Sequence, residues 1–90
     1  MSDITIESNP SQQTLTDLGV HNWSIWEKEA SSFPWFYDTE EVCYLLEGDV
    51  TVTANGQTYR FGKGDLVTFP QGLSCEWKIH KAVKKHYLFR

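Results

Sequence analysis

Apolar and polar positions alternate with a period of two through most of the chain after Trp23, the pattern of β-strands with one buried face. The segment Cys75-Glu76-Trp77-Lys78-Ile79-His80 shows it most clearly: Cys75, Trp77 and Ile79 fall on one face, and Glu76, Lys78 and His80 on the other. In Glu41 to Leu46 both faces are largely apolar, with Glu41, Cys43 and Leu45 opposite Val42, Tyr44 and Leu46. Burial on two sides is expected when one face lines a barrel and the other packs on the N-terminal segment or a partner subunit. The pattern predicts strands over 41–47, 49–54, 57–61, 65–69, 75–80 and 83–89, with a further short strand at Ile4-Thr5-Ile6. Asn55-Gly56 reads as a type I′ hairpin turn, and Gly48 and Gly62-Lys63-Gly64-Asp65 read as tight reversals. Before Trp23 lies one short helix, with Asn9 as N-cap, Pro10 at the first position, Leu15 and Leu18 on one face and Gly19 closing it. Closely spaced antiparallel strands in a short chain favour a rolled barrel that hides its edges.

Ninety residues make one domain: an arm and helix over 1–22 and a barrel over 23–90. A chain of this size buries only roughly 60–65% of its unfolded surface, which places a premium on dense packing or dimerisation. Its 14% aromatic content supplies that density. A net charge of −4 and scattered basic residues, apart from Lys81, Lys84 and Lys85, argue against nucleic-acid binding. Short apolar runs and the polar start Met1-Ser2-Asp3 argue against a membrane span or secretion signal, so the expectation is a cytoplasmic protein with Cys43 and Cys75 as free thiols.

Two glycine-punctuated motifs overlie the strands. In the first, Glu41 and Gly48 are separated by six residues, with Trp35 and Tyr37 preceding Glu41. In the second, Gly64 is followed after five residues by Pro70-Gln71-Gly72, and Cys75 comes three positions later. These spacings resemble the two motifs of cupin barrels. A cupin's histidines would stand at 35, 37 and 75, where this chain has Trp35, Tyr37 and Cys75; the motif glutamate, Glu41, remains. The runs Phe33-Pro34-Trp35, Cys43 to Gly48, Gly64 to Leu73, Cys75-x-Trp77 and Lys85-His86-Tyr87 are similar to the small single-domain cupins grouped with ureidoglycine aminohydrolase and ethanolamine-utilisation protein Q. The resemblance covers about Trp23 to Phe89. It implies an all-β fold, a conical jelly-roll barrel that is often dimeric, with a small-molecule pocket at its mouth. Ureidoglycine aminohydrolase is a bicupin that holds manganese with histidine, glutamate and glutamine; this chain is one cupin long and matches only the glutamate, so neither that activity nor a metal cofactor carries over.

If Glu41 faces inward, the lumen gathers Trp35, Tyr37, Glu41, Cys43, Cys75 and Trp77. An ionised carboxylate among rings is costly to bury, which makes Glu41 the candidate acid or base. Tyr37 and Cys75 are candidates to orient or activate a substrate, and Trp35, Cys43 and Trp77 to line the pocket. On the last strand parity leaves two options: His86 and Leu88 inward, or Lys85, Tyr87 and Phe89 inward. The aromatic set favours the second, with Lys85 as a partner for Glu41 and Tyr87 as a lining residue. His21 and His80 read as solvated, and Trp23, Ile25 and Trp26 as packing the N-terminal segment. The expected function is binding of, or acid–base catalysis on, a small polar nitrogen-containing or carbohydrate-like molecule, with a non-catalytic ligand-binding or structural dimeric cupin as the alternative; strands apolar on both faces make a homodimer the expected assembly.

Overall fold

Two long strands carry the architecture. In the computed structural model, which describes residues 3–90, β1 (Thr5–Ser8) and α1 (Gln12–Leu18) precede β2 (Ser24–Lys28), β3 (Ser31–Phe36), β4 (Glu41–Ala54), β5 (Gln57–Gly62), β6 (Asp65–Phe69) and β7 (Ser74–Phe89). β4 and β7 pair antiparallel along nearly their whole length. Their outer halves continue into the order β1-β6-β4-β7-β2, while β5 pairs with residues 49–54 of β4 and β3 with residues 74–79 of β7. Each long strand is thus shared between two halves of one rolled antiparallel sheet. The all-β expectation holds, with one α-helix.

The segments expected as separate strands on either side of Gly48 are one strand, and so are those on either side of Lys81-Ala82. Gly48 does not reverse the chain; at φ 128° it bends it. The β4–β7 register slips between Leu45 and Val50, an irregular stretch with one extra residue on β4 near Glu47 and then two on β7 between Lys84 and Ile79. The slip changes side-chain parity. Glu41, Cys43 and Leu45 are buried before it, and Val50, Val52 and Ala54 after it. A strand that bends and changes parity can line the lumen along its entire length, which a flat strand of 14 residues cannot.

The true reversals lie elsewhere. Asn55 (φ 52°) and Gly56 (φ 76°) form the expected hairpin turn between β4 and β5. At the N-terminus Asn9 is not the helix cap. It adopts φ 51° and its backbone N–H donates to Gly64 O at 3.0 Å, tying the arm to the β5–β6 turn. Ser11 caps instead, its Oγ accepting from Thr14 N at 3.1 Å. Gly19 closes the helix as expected, in the left-handed conformation.

The core follows from the inward set. Phe61, Phe69, Trp77 and Tyr37 pack ring against ring, with Tyr37 and Phe69 stacked at 4.7 Å between centroids and Phe61 edge-on to both Phe69 and Trp77. Cys43, Leu45, Val50, Val52 and Val67 fill the space around them and are fully buried.

The bend depends on a close backbone crossing. A Cβ at Gly62 would lie 2.5 Å from Gly48 O, and Gly48 O also accepts from Lys63 N at 3.2 Å. Backbone cannot yield as a flexible side chain can. Gly62→Ala should therefore destabilise the fold by roughly 1–3 kcal/mol, the range for forcing extra volume into a packed site. Urea unfolding measures it, and an unchanged midpoint would show that the two strands do not cross this closely.

Candidate functional site

Parity along the continuous β7 decides the question the sequence left open. Trp77, Ile79, Val83 and Lys85 point inward together, so Lys85 enters the lumen and His86 does not. His86 is buried on the opposite side, its Nδ1 3.1 Å from Trp23 O and its ring edge-on to His21. His21 and His80 are exposed, as expected, and His80 Nε2 lies 2.8 Å from Thr51 Oγ1.

Glu41 opens β4 opposite Phe89, and Lys85 stands opposite Leu45. Four residues of strand separate these register points, roughly 13 Å at 3.3 Å per residue. Both side chains are long enough to close that gap by running along the lumen wall. Lys85 Nζ donates to Glu41 Oε2 at 2.7 Å, and the two residues are only 5% and 3% exposed. The partner that the favoured parity offered Glu41 is thus in place, as a buried ion pair.

Aromatic faces surround the pair. Lys85 Nζ lies 4.9 Å from the ring centroids of both Trp26 and Trp77 and 6.0 Å from that of Tyr87. The ring quadrupoles face the ammonium with negative charge and replace part of its lost hydration. β2 supplies Trp26 directly opposite Lys85, and β3 supplies Phe33 opposite Trp77, the two rings stacked at 6.0 Å. Tyr37 is held by backbone bonds to both Gly72 and Leu73, and its hydroxyl accepts from Trp77 Nε1 at 3.2 Å. Its phenol is pushed well up from its ordinary value by burial first and by the Glu41 charge second, so it remains a neutral donor.

Above the pair opens a cavity of about 210 Å³ lined by Trp26, Phe33, Trp35, Tyr37, Glu41, Trp77, Lys85, Tyr87 and Phe89. Trp35 and Phe89, each 48% exposed, form part of its rim. Among the described residues no buried side-chain nitrogen or oxygen lacks a partner, and Glu41 and Lys85 both line this cavity.

Of the residues singled out in the sequence, Glu41, Tyr37, Trp35, Trp77, Lys85 and Tyr87 come together here. Cys43 and Cys75 do not line the cavity. Cys43 is fully enclosed and its thiol is pushed up to about 12, chiefly by burial. Cys75 turns its Sγ to Trp35 O at 3.6 Å, and burial followed by the Glu41 charge pushes its thiol up to about 11. Neither is poised as a thiolate nucleophile. Sequence reasoning missed Trp26, which it assigned to packing, and passed over Phe33. The available signal was the face shared by Ser24, Trp26 and Lys28 between outward Ile25 and Glu27, a strand too short to read beside Trp23.

The cupin metal position fails a test of donor chemistry. Glu41 is engaged by an ammonium, Tyr37 holds its proton, and Cys75 is a protonated thiol directed at a carbonyl. No group of three or more His, Cys, Asp or Glu able to hold an ion occurs among the described residues. These residues do not fit a transition metal.

A bent, rolled antiparallel sheet with a cavity at its mouth, the first glycine motif within β4 at its bend and the second spanning β6 and the turns on either side of it, defines a small cupin barrel. Residues 15–87 match the EutQ-like cupin domain, and the chain belongs to that family. It is 35% identical over 60 residues to the acetate kinase EutQ of Escherichia coli (strain K12), an alignment covering 67% of this chain and 26% of that protein. The chain thus spans about a quarter of the length of this curated relative. A crystal structure of a DUF861 family protein from Thermotoga maritima superposes with a TM-score of 0.95 at 52% identity, covering 98% of this chain and 100% of the other. The Clostridium difficile EutQ protein shares the fold, with a TM-score of 0.67 and 18% identity over 72% of this chain and 52% of its own. No helix among the described residues is long and apolar enough to cross a membrane.

The thiols give a pH test. Unfolded, they ionise near 9.0; folded, they hold their protons to about 12 and about 11. Between those values the native state binds more protons than the unfolded one, so stability is fully present below pH 9 and falls as pH rises through the window. Urea unfolding at pH 8 and pH 10.5 should show this loss, with a smaller loss in Cys75→Ala. Both thiols should alkylate slowly in the native protein at pH 7.5. Rapid modification by iodoacetamide there would contradict the thiol environments described.

Proposed function

We propose that the mouth of this barrel binds one small, polar-headed molecule, that the Glu41–Lys85 pair anchors it, and that the pair serves as acid and base on it. The observation that carries this reading is a second titratable group 2.7 Å from Glu41 at the floor of a cavity otherwise walled by rings. A structural barrel needs no such pair, because an aliphatic pair of similar volume fills a core at less desolvation cost. A site that moves protons does need one.

The cavity sets the size of the molecule. A dry cavity of ~150 Å³ accommodates benzene, so about 210 Å³ suits one ring with a few substituents. The aromatic walls offer faces for a flat ring or for the C–H face of a sugar. The carboxylate oxygen not bonded to Lys85 is the base; the ammonium steadies negative charge developing on the bound molecule, and Tyr37 supplies a second neutral donor. Cys75 is assigned no step. The kinase activity named for the Escherichia coli relative belongs to a protein of which this chain spans 26%, and it is not carried over.

Indole resonances report on the site whichever molecule fills it. Of the four tryptophans, Trp26, Trp35 and Trp77 line the cavity and Trp23 does not. A fragment library of ring-sized polar compounds screened by ¹H–¹⁵N spectra should yield binders that shift those three indole signals and leave that of Trp23 in place. Binders that move Trp23 alone, or no binder across the library, would contradict the proposal.

A further inference from the structure

The charge balance of the site restricts the kind of molecule it accepts. Glu41 and Lys85 are opposite charges in contact, so the cavity floor is already neutral. An anionic ligand bound to Lys85 would compete with Glu41 and press a second negative charge against it in a poorly screened space. A cationic ligand seated on Glu41 would do the same to Lys85, and the ring faces that would receive a cation, Trp26 and Trp77, already hold the lysine ammonium at 4.9 Å. Separating the pair to pair each member with a ligand charge leaves buried charge in new and less complete contacts. An uncharged molecule meets none of these penalties.

The pair also presents a two-point pattern. The ammonium has protons beyond the one given to Glu41 Oε2, and the carboxylate has a second oxygen. Both residues line the cavity, so a donor group and an acceptor group stand side by side at its floor. Their complement is a carbonyl oxygen next to an N–H on the same edge of the ligand. That edge occurs in a ring amide, where the cis geometry places C=O and N–H together, and a flat ring lies naturally between the walls formed by Trp26, Phe33, Trp35 and Phe89.

We infer that the mouth of this barrel selects an uncharged cyclic amide, its carbonyl accepting from Lys85 Nζ and its adjacent N–H donating to Glu41. The inference rests on the function proposed above and narrows it to a ligand class. Tyr37, whose oxygen already accepts from Trp77, is left with its proton to give and supplies a further donor among the lining residues.

Four ring-sized probes test it on the unaltered protein, so no variant has to fold: 2-pyridone, N-methyl-2-pyridone, benzoate and benzylammonium. All four fit about 210 Å³, given that ~150 Å³ holds a benzene ring. Dissociation constants come from titrations that follow the indole signals of Trp26, Trp35 and Trp77. The expected order places 2-pyridone at least about tenfold tighter than each of the other three, a difference equivalent to ~1.4 kcal/mol. N-methyl-2-pyridone binding as tightly as 2-pyridone would overturn the two-point contact. Benzoate or benzylammonium binding as tightly or more tightly would overturn the selection for neutral molecules while leaving the cavity as a binding site. If none of the four perturbs the three indoles at millimolar concentration, this inference fails; failure of the wider fragment screen as well would overturn the site itself.

Discussion

The contact between Lys85 and Glu41 is the constraint to which the rest of this barrel answers. Both charges lose nearly all their water, a cost of several kcal/mol per ion that a single ion pair does not reliably offset. Three features reduce it here. The contact is short, at 2.7 Å; two indole faces lie 4.9 Å from the ammonium; and the buried polar atoms around it are satisfied. Each feature imposes a requirement on the fold. β2 must deliver Trp26 opposite Lys85, β3 must deliver Phe33 to support Trp77, and β4 must bend so that Glu41 and Val52 both face inward despite their opposite parity. The crossing of Gly48 and Gly62 is the local means by which that bend is made.

This arrangement accounts for the residues found where a metal-binding cupin has histidines. Trp35 is a rim wall, Tyr37 a buried donor stacked on Phe69, and Cys75 a protonated thiol directed at the carbonyl of Trp35. Each has a defined role in an aromatic cavity, and none is free to act as a ligand. The glutamate common to the motif keeps its place but faces an ammonium. In a family whose members include proteins about four times as long as the stretch aligned here, the same barrel supports a site built on a charge pair.

Much of the fold was legible because it rests on short-range rules. Period-two alternation put Trp77, Ile79 and Lys85 on one face, and Asn55-Gly56 specified its hairpin through two positive φ angles. Gly48 misled for a physical reason: glycine permits both a reversal and a bulge, and the choice is made by the partner strand, which no local window contains. The same limit explains Asn9, whose backbone found Gly64 more than fifty residues away and left the helix cap to Ser11. Within the site, Glu41 and Tyr37 were legible from motif position. Trp26 was not, because its role depends on lying opposite Lys85 across two strands far apart in sequence. Cys43 and Cys75 satisfied the parity rule, yet parity gives the face of a strand and not the depth along it, and they sit off the cavity.

The most direct test of this account is a double-mutant cycle on the pair, using Glu41→Gln, Lys85→Met and the two combined, with stability read from urea unfolding at neutral pH. A domain of this size has on the order of 5–13 kcal/mol in total, so the effects are measurable. Each single variant strands one buried charge and should lose roughly 3–5 kcal/mol, while the combined variant should regain most of that loss. Single losses that simply add in the combined variant, or single variants as stable as the parent, would show that Glu41 and Lys85 do not meet in the lumen and would contradict the site described.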